Sequence, residues 1–166
     1  MGSGKTSVAQ KLSAFFPGYN SMDIDKEIEN ESNMSISEIF ATNGEEYFRD
    51  IETVLLKKIM KNNKLILSTG GGVVLRKENR DIIKKNGYVF WLYANAEAIY
   101  ERIKNEKTRP LINTDKPKND ILKIINVIMQ ERFALYNEVA DVIVNTAKYS
   151  VEECVEEISK EYALLR

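Results

Sequence analysis

The residues that most constrain this chain stand at its start, Met1-Gly2-Ser3-Gly4-Lys5-Thr6-Ser7. Small residues, then Gly-Lys-Thr, then an amphipathic run have the form of the C-terminal part of a phosphate-binding P-loop. Such a loop turns consecutive backbone N–H groups inward around a phosphate, and the helix N-terminus behind it favours anions. Lys5 is placed to reach the β/γ oxygens, and the Thr6 hydroxyl to hold Mg²⁺. A chance Gly-Ser-rich start is the bland alternative, so the downstream residues have to decide.

The full P-loop spacing asks for one more glycine about five residues before Gly4, preceded by an apolar strand. Both fall ahead of Met1. The expectation is a natural start about ten residues upstream, with Met1 an internal loop residue. Loss of such a strand orphans the backbone groups it pairs with, at about 1–3 kcal/mol for each buried group left unmet.

Val8, Leu12 and Phe15 recur at helical spacing, so Lys5 to about Phe16 reads as a helix that Pro17-Gly18 ends. Tyr19 to Met22 reads as a short strand running into Asp23-Ile24-Asp25. Strand alternation puts both aspartates on one side, at the end where ligands bind in an open α/β sheet. Lys26 to Glu29 reads as a helical turn. Ser35 to Ala41 reads as a short helix capped by Ser35 or Ser37, and Gly44 to about Asn62 as a longer one.

Leu65-Ile66-Leu67 has the continuous apolar character of a buried parallel strand, and Ser68-Thr69-Gly70-Gly71-Gly72 follows at once. Three glycines at that end let a ligand approach the backbone closely. Glu78 to Asn86 reads as a helix, and Tyr88 to Tyr93 as a buried strand with Trp91 in the core. Asn95 caps a helix to about Glu106. The polar stretch 107–119 reads as a mobile lid. Asp120 to Glu138 is helical, Val142 to Val144 a last strand, and Ser150 to Glu153 a capping box opening a terminal helix in which Cys154 is a core thiol. Strands and helices alternate throughout, which predicts a single α/β domain over 1–166 with a doubly wound parallel sheet flanked by helices.

The chain holds no histidine, which removes imidazole bases and His-ligated zinc. Carboxylates, Lys, Arg and a hard cation must carry any reaction. A net charge of −1 gives no case for nucleic acid or an acidic membrane, and one cysteine suits a reducing compartment. No apolar run approaches the roughly 20 residues of a membrane span. A cytoplasmic location is expected.

At Arg109-Pro110-Leu111 the sequence resembles the shikimate kinases. The matching residues are Gly2 to Thr6, Asp23-Ile24-Asp25 with Ile28-Glu29, and Phe48-Arg49-Asp50-Ile51-Glu52. They continue with Ser68 to Gly72, Arg109-Pro110-Leu111, and Arg132 leading to Tyr136, Glu138 and Ala140. They fall in family order over most of the chain.

The resemblance implies transfer of the γ-phosphoryl group of ATP to the 3-hydroxyl of shikimate. It places Asp25 against the ring hydroxyls to orient the attacking oxygen and take its proton. Arg49 and Arg132 grip the substrate carboxylate, Gly70, Gly71 and Gly72 close on the ring, and residues 26–62 form the shikimate-binding helical segment. Glu52 holds the Arg49 guanidinium. Lys5 and the lid residue Arg109 stabilise charge on the transferring group, with Gly2, Ser3, Gly4 and Ser7 in the phosphate loop and Arg102 on adenine. Thr6 and, through water, Asp23 hold Mg²⁺. A monomer is expected. The lid after Leu111 is more lysine-rich than the resemblance leads one to expect. The rival readings are a related kinase for gluconate or a nucleoside monophosphate, and a non-catalytic nucleotide-binding module.

Overall fold

The computed structural model describes residues 2–105, 112 and 114–165 of the chain. Among the described residues four strands alternate with helices. The strands are β1 (Asn20–Asp23), β2 (Leu65–Ser68), β3 (Phe90–Tyr93) and β4 (Val142–Asn145). The helices are α1 (Lys5–Phe15), α2 (Ile24–Ser32), α3 (Ile36–Ile59), α4 (Lys77–Asn86), α5 (Ala96–Ile103), α6 (Lys118–Val139) and α7 (Val151–Leu165), with a 3₁₀ turn at Val73–Leu75. This is the α/β alternation expected from the sequence.

The local signals act where they stand. Ser35 caps α3, and its hydroxyl accepts from the Glu38 N–H while the Glu38 carboxylate accepts from the Ser35 N–H. Ser150 and Glu153 make the same reciprocal pair ahead of α7. Asn95 accepts from the Ala98 N–H at the start of α5. The two helices expected on either side of Gly44 run on as α3, but Gly44 itself is non-helical (φ 85°, ψ 171°) and kinks it. A left-handed φ of that kind is the reason a glycine stands there.

Every strand pairing is parallel. Asn20 to Asp23 pair in register with Leu65 to Ser68, and Phe90 to Tyr93 with Val142 to Asn145. The sheet comes in two halves, β1-β2 and β3-β4. Between β2 and β3 lies a cavity of about 520 Å³ lined by both strands. Their inner edges carry no ladder partner among the described residues.

Alternate strand residues feed two layers. Ile66, Phe90, Leu92 and Val144 pack toward α1 and α7 with Val8, Leu12, Cys154 and Ile158. Leu65 and Leu67 pack on the other side with Ile24, Phe48, Leu56 and Val139. Cys154 is the core thiol expected, and burial pushes its thiol up from the ordinary value. Trp91 is half-buried in an aromatic group, stacked on Tyr136 and edge-on to Phe133. Residues 107–111 and 113 of the expected lid fall outside the described residues. Within it Ile112 is buried in the cluster of α5 and α6, and residues 118 and 119 already belong to α6.

Candidate active site

The phosphate loop meets the end of β1. Lys5 opens α1, with Gly4 before it in a left-handed conformation as the N-cap. The first turn of α1 holds no acidic residue, so its N–H groups and dipole favour an anion. At the next residue, the Thr6 hydroxyl donates to Asp23 Oδ2 at 2.7 Å. The other Asp23 oxygen accepts from the Asp25 N–H at 3.1 Å and caps α2. Arg102, from α5, braces the same loop. Its guanidinium donates to the Gly2 carbonyl at 3.1 Å and to the Thr146 hydroxyl and carbonyl beyond β4.

That capping overturns one expectation. Asp23 and Asp25 do not share a strand face, because the helix starts at Ile24 and Asp25 lies in its first turn. The aspartate that ends β1 bends the chain into α2 by satisfying a helix N–H. Asp25 is thereby turned toward the glycines after β2.

Those glycines are a meeting point. A Cβ on Gly70 would stand 2.6 Å from Asp25 Oδ1 and 3.2 Å from Glu52 Oε1. A Cβ on Gly72 would stand 2.2 Å from Arg49 Nη2. The Gly71 carbonyl accepts from Arg132 Nη1 at 3.1 Å and from the Tyr136 hydroxyl at 2.5 Å, both from α6. No side chain fits at 70 or 72 without displacing a charged group.

Arg49 is buried between two carboxylates of its own helix. It donates to Glu52 Oε2 at 2.8 Å and to Glu45 Oε1 at 3.0 Å. Glu52 is fully buried, and burial drives its carboxyl up from the ordinary value against the pull of Arg49 beside it. Among the described residues neither Glu52 Oε1 nor buried Arg132 Nε has a hydrogen-bond partner. Buried polar atoms without partners are uncommon, and two of them beside the glycines mark where a polar ligand has bonds to make. Burial also pushes the Tyr136 hydroxyl up, so it stays protonated and donates.

The oxygen donors fit a hard cation. Thr6 and Asp23 offer two, and among the described residues no group of three or more His, Cys, Asp or Glu could hold a metal unaided. Mg²⁺ in kinase sites is bound in that way, by one or two protein oxygens with the remainder from phosphates and water.

The family model for shikimate kinase matches residues 1–163. This chain belongs to the shikimate kinase family. A curated shikimate kinase of Thermodesulfovibrio yellowstonii is 43% identical over 165 residues, covering 99% of this chain and 92% of the relative. That of Nitrosococcus oceani is 38% identical over 161 residues, covering 97% and 82%. Among solved structures, shikimate kinase from Acinetobacter baumannii in complex with shikimate matches with a TM-score of 0.92 at 31% identity, covering 100% of this chain and 90% of the other.

Of the residues that the shikimate kinase resemblance singled out, the fold brings Asp25, Arg49, Gly70, Gly71, Gly72 and Arg132 into one group. Gly2, Ser3, Gly4, Lys5, Thr6 and Asp23 form the other, joined to it through α2. Ser7 is exposed on α1. Arg109 lies outside the described residues. Glu52 holds Arg49 as expected. Sequence reasoning assigned nothing to Glu45 or Tyr136. Their signal was spacing, since each stands four residues from an arginine of the site on the same helix.

Proposed function

We propose that this protein transfers the γ-phosphoryl group of ATP to the 3-hydroxyl of shikimate, giving shikimate 3-phosphate and ADP on the route to chorismate and the aromatic amino acids. The observation that carries the reading is the convergence of Asp25, Arg49 and Arg132 on the backbone of residues 70–72. Two guanidinium forks suit a planar carboxylate, and an aspartate beside them suits a ring hydroxyl. The glycines let the ring lie against the main chain.

In this reading Asp25 orients the 3-hydroxyl and accepts its proton as the oxygen attacks the γ-phosphorus. The bond from that phosphorus to the β,γ-bridging oxygen breaks, and ADP leaves. Gly2 to Ser7 cradle the donor phosphates, and Lys5 and Arg109 stabilise charge on the transferring group. Thr6, and Asp23 through water, hold Mg²⁺, which when bound neutralises charge on the β- and γ-oxygens. Arg102 borders the adenine. Residues 107–119 act as a lid that excludes water and suppresses idle ATP hydrolysis. The working unit is one domain over 1–166, a monomer in the cytoplasm. Among the described residues no helix is long and apolar enough to cross a membrane.

The test is ADP release by natively expressed protein with Mg·ATP, adding shikimate, gluconate or CMP in turn. Turnover that depends on shikimate alone is the expected result. Turnover with gluconate or CMP and none with shikimate would replace this reading by a rival kinase. No dependence on any acceptor would leave only nucleotide binding.

A further inference from the structure

Two carboxylates and one stretch of main chain press on the Arg49 guanidinium, and they differ in whether they can leave. Glu52 takes Nη1 at 2.8 Å and is fully buried. Gly72 lies against the guanidinium with its backbone, and its carbonyl is held by the Leu75 N–H at 3.0 Å. Glu45 takes the remaining edge. Its Oε1 accepts from Nη2 at 3.0 Å and from Nε at 3.3 Å, so a single oxygen spans two parallel N–H groups. A planar carboxylate set square to that edge places one oxygen on each N–H, which is the stronger arrangement. The Glu45 side chain is 47% exposed, against 7% for Arg49 and 0% for Glu52. Of the groups on the guanidinium, Glu45 is the one with solvent to move into. It also stands directly after the kink in α3. A Cβ on Gly44 would meet nothing within 4 Å, so the glycine there serves the backbone path and not close packing. Glu46 and Asp50, the nearby acidic residues of the same helix, are held by Arg76 instead.

We infer, on the reading that Arg49 grips the substrate carboxylate, that Glu45 is a built-in competitor for that substrate. Its carboxylate sits on the Nε–Nη2 edge that the shikimate carboxylate takes, and it swings out beside Gly44 when shikimate binds. Exchanging one carboxylate for another keeps an anion on that edge throughout, so no step strands a buried guanidinium. The exchange also makes the seat selective. A ligand with no carboxylate, or with one that reaches a single N–H, gains nothing over Glu45 and leaves it in place. Affinity falls in return, because only molecules with Glu45 turned out accept the substrate, and the apparent Kd is raised by the inverse of their fraction. Removing Glu45 removes that factor, while Glu52 still holds Arg49 through Nη1.

The test compares natively expressed wild type with Glu45→Gln and Glu45→Ala, using shikimate in calorimetric titrations and in steady-state kinetics. Both variants should bind shikimate more tightly, with Kd and KM lower by roughly two- to tenfold. The larger gain belongs to Glu45→Ala, which keeps no side-chain oxygen to compete for the edge. Tightening in Glu45→Ala alone also supports the inference, since the Gln amide oxygen can hold the same N–H groups. Loss of a half-exposed pair within one helix should move Tm by only about 1–2 °C, so the gain is not a product of altered folding. The KM for ATP should hold within about twofold. A brace that merely supports Arg49 predicts the opposite sign. Weaker shikimate binding in both variants, an unchanged Kd in both, or a parallel fall in the KM for ATP would each overturn the inference while leaving the reading of the site intact. Wild-type protein that binds no shikimate would overturn that reading and the inference with it.

Discussion

Arg49 and Gly72 are in contact so close that a methyl carbon on Gly72 would stand 2.2 Å from Nη2 and 2.5 Å from Cζ. Glu45 and Glu52 both pair with this guanidinium, so displacing it strains two ion pairs. Gly72→Ala should therefore misplace Arg49 and raise the KM for shikimate by roughly tenfold or more, leaving the KM for ATP within about twofold. Steady-state kinetics with each substrate varied would show it. An unchanged shikimate KM would separate Arg49 from the substrate.

The Thr6 hydroxyl faces Asp23 rather than solvent. Thr6→Val keeps the shape and removes the oxygen. It should lower kcat by about a hundredfold and raise the Mg²⁺ concentration needed for half-maximal rate, whereas Thr6→Ser should retain both. A Mg²⁺ titration of the three proteins decides. Equal Mg²⁺ dependence would mean that the hydroxyl is no ligand.

Glu52 gives a pH signature. Burial raises its carboxyl above the ordinary value of 4.5, so the folded protein holds this proton more tightly than the unfolded chain does. The resulting stabilisation is fully present below the unfolded value and is lost as pH rises through the folded one. Glu52→Gln lacks that titration. The Tm of the wild type minus that of the variant should thus fall as pH rises above the ordinary value of 4.5. A flat or rising difference in thermal melts would contradict the assignment.

Tyr136 is a positioning residue. Its hydroxyl holds the Gly71 carbonyl together with Arg132, while its ring stacks on Trp91 with centroids 5.3 Å apart. Tyr136→Phe leaves the stack and removes one hydrogen bond worth about 1 kcal/mol, or roughly fivefold. That loss should fall on the shikimate KM with kcat little changed. A fall in Tm with no change in KM would make the residue merely structural.

Arg102 ties the Gly2 carbonyl to Thr146. Arg102→Ala should loosen the nucleotide side alone, raising the KM for ATP by about three- to tenfold while the shikimate KM holds. Equal changes in both would show that the brace serves the whole domain.

Element positions were legible because their signals are local. The capping residues Ser35, Asn95 and Ser150 each hold a backbone N–H within three residues. The apolar runs at residues 65–67 and 142–144 need no partner to be recognised as strands. Asp25 was misread because strand alternation was carried past Asp23, whose side chain starts a helix there instead. Its place in the site survived that error, since either geometry delivers it to the end of β1. Tyr136 had a legible spacing but no legible role, because its partner is a carbonyl 65 residues away.

The sequence by itself determined the chemistry available: a phosphate loop, no imidazole, oxygen donors for a hard cation, and arginines for an anion. It determined the order of strands and helices too, since periodicity and capping act over a few residues. Only the tertiary structure decided which of these groups meet. Gly70 touches Asp25 and Glu52, and Gly72 touches Arg49, across separations that no local pattern reports.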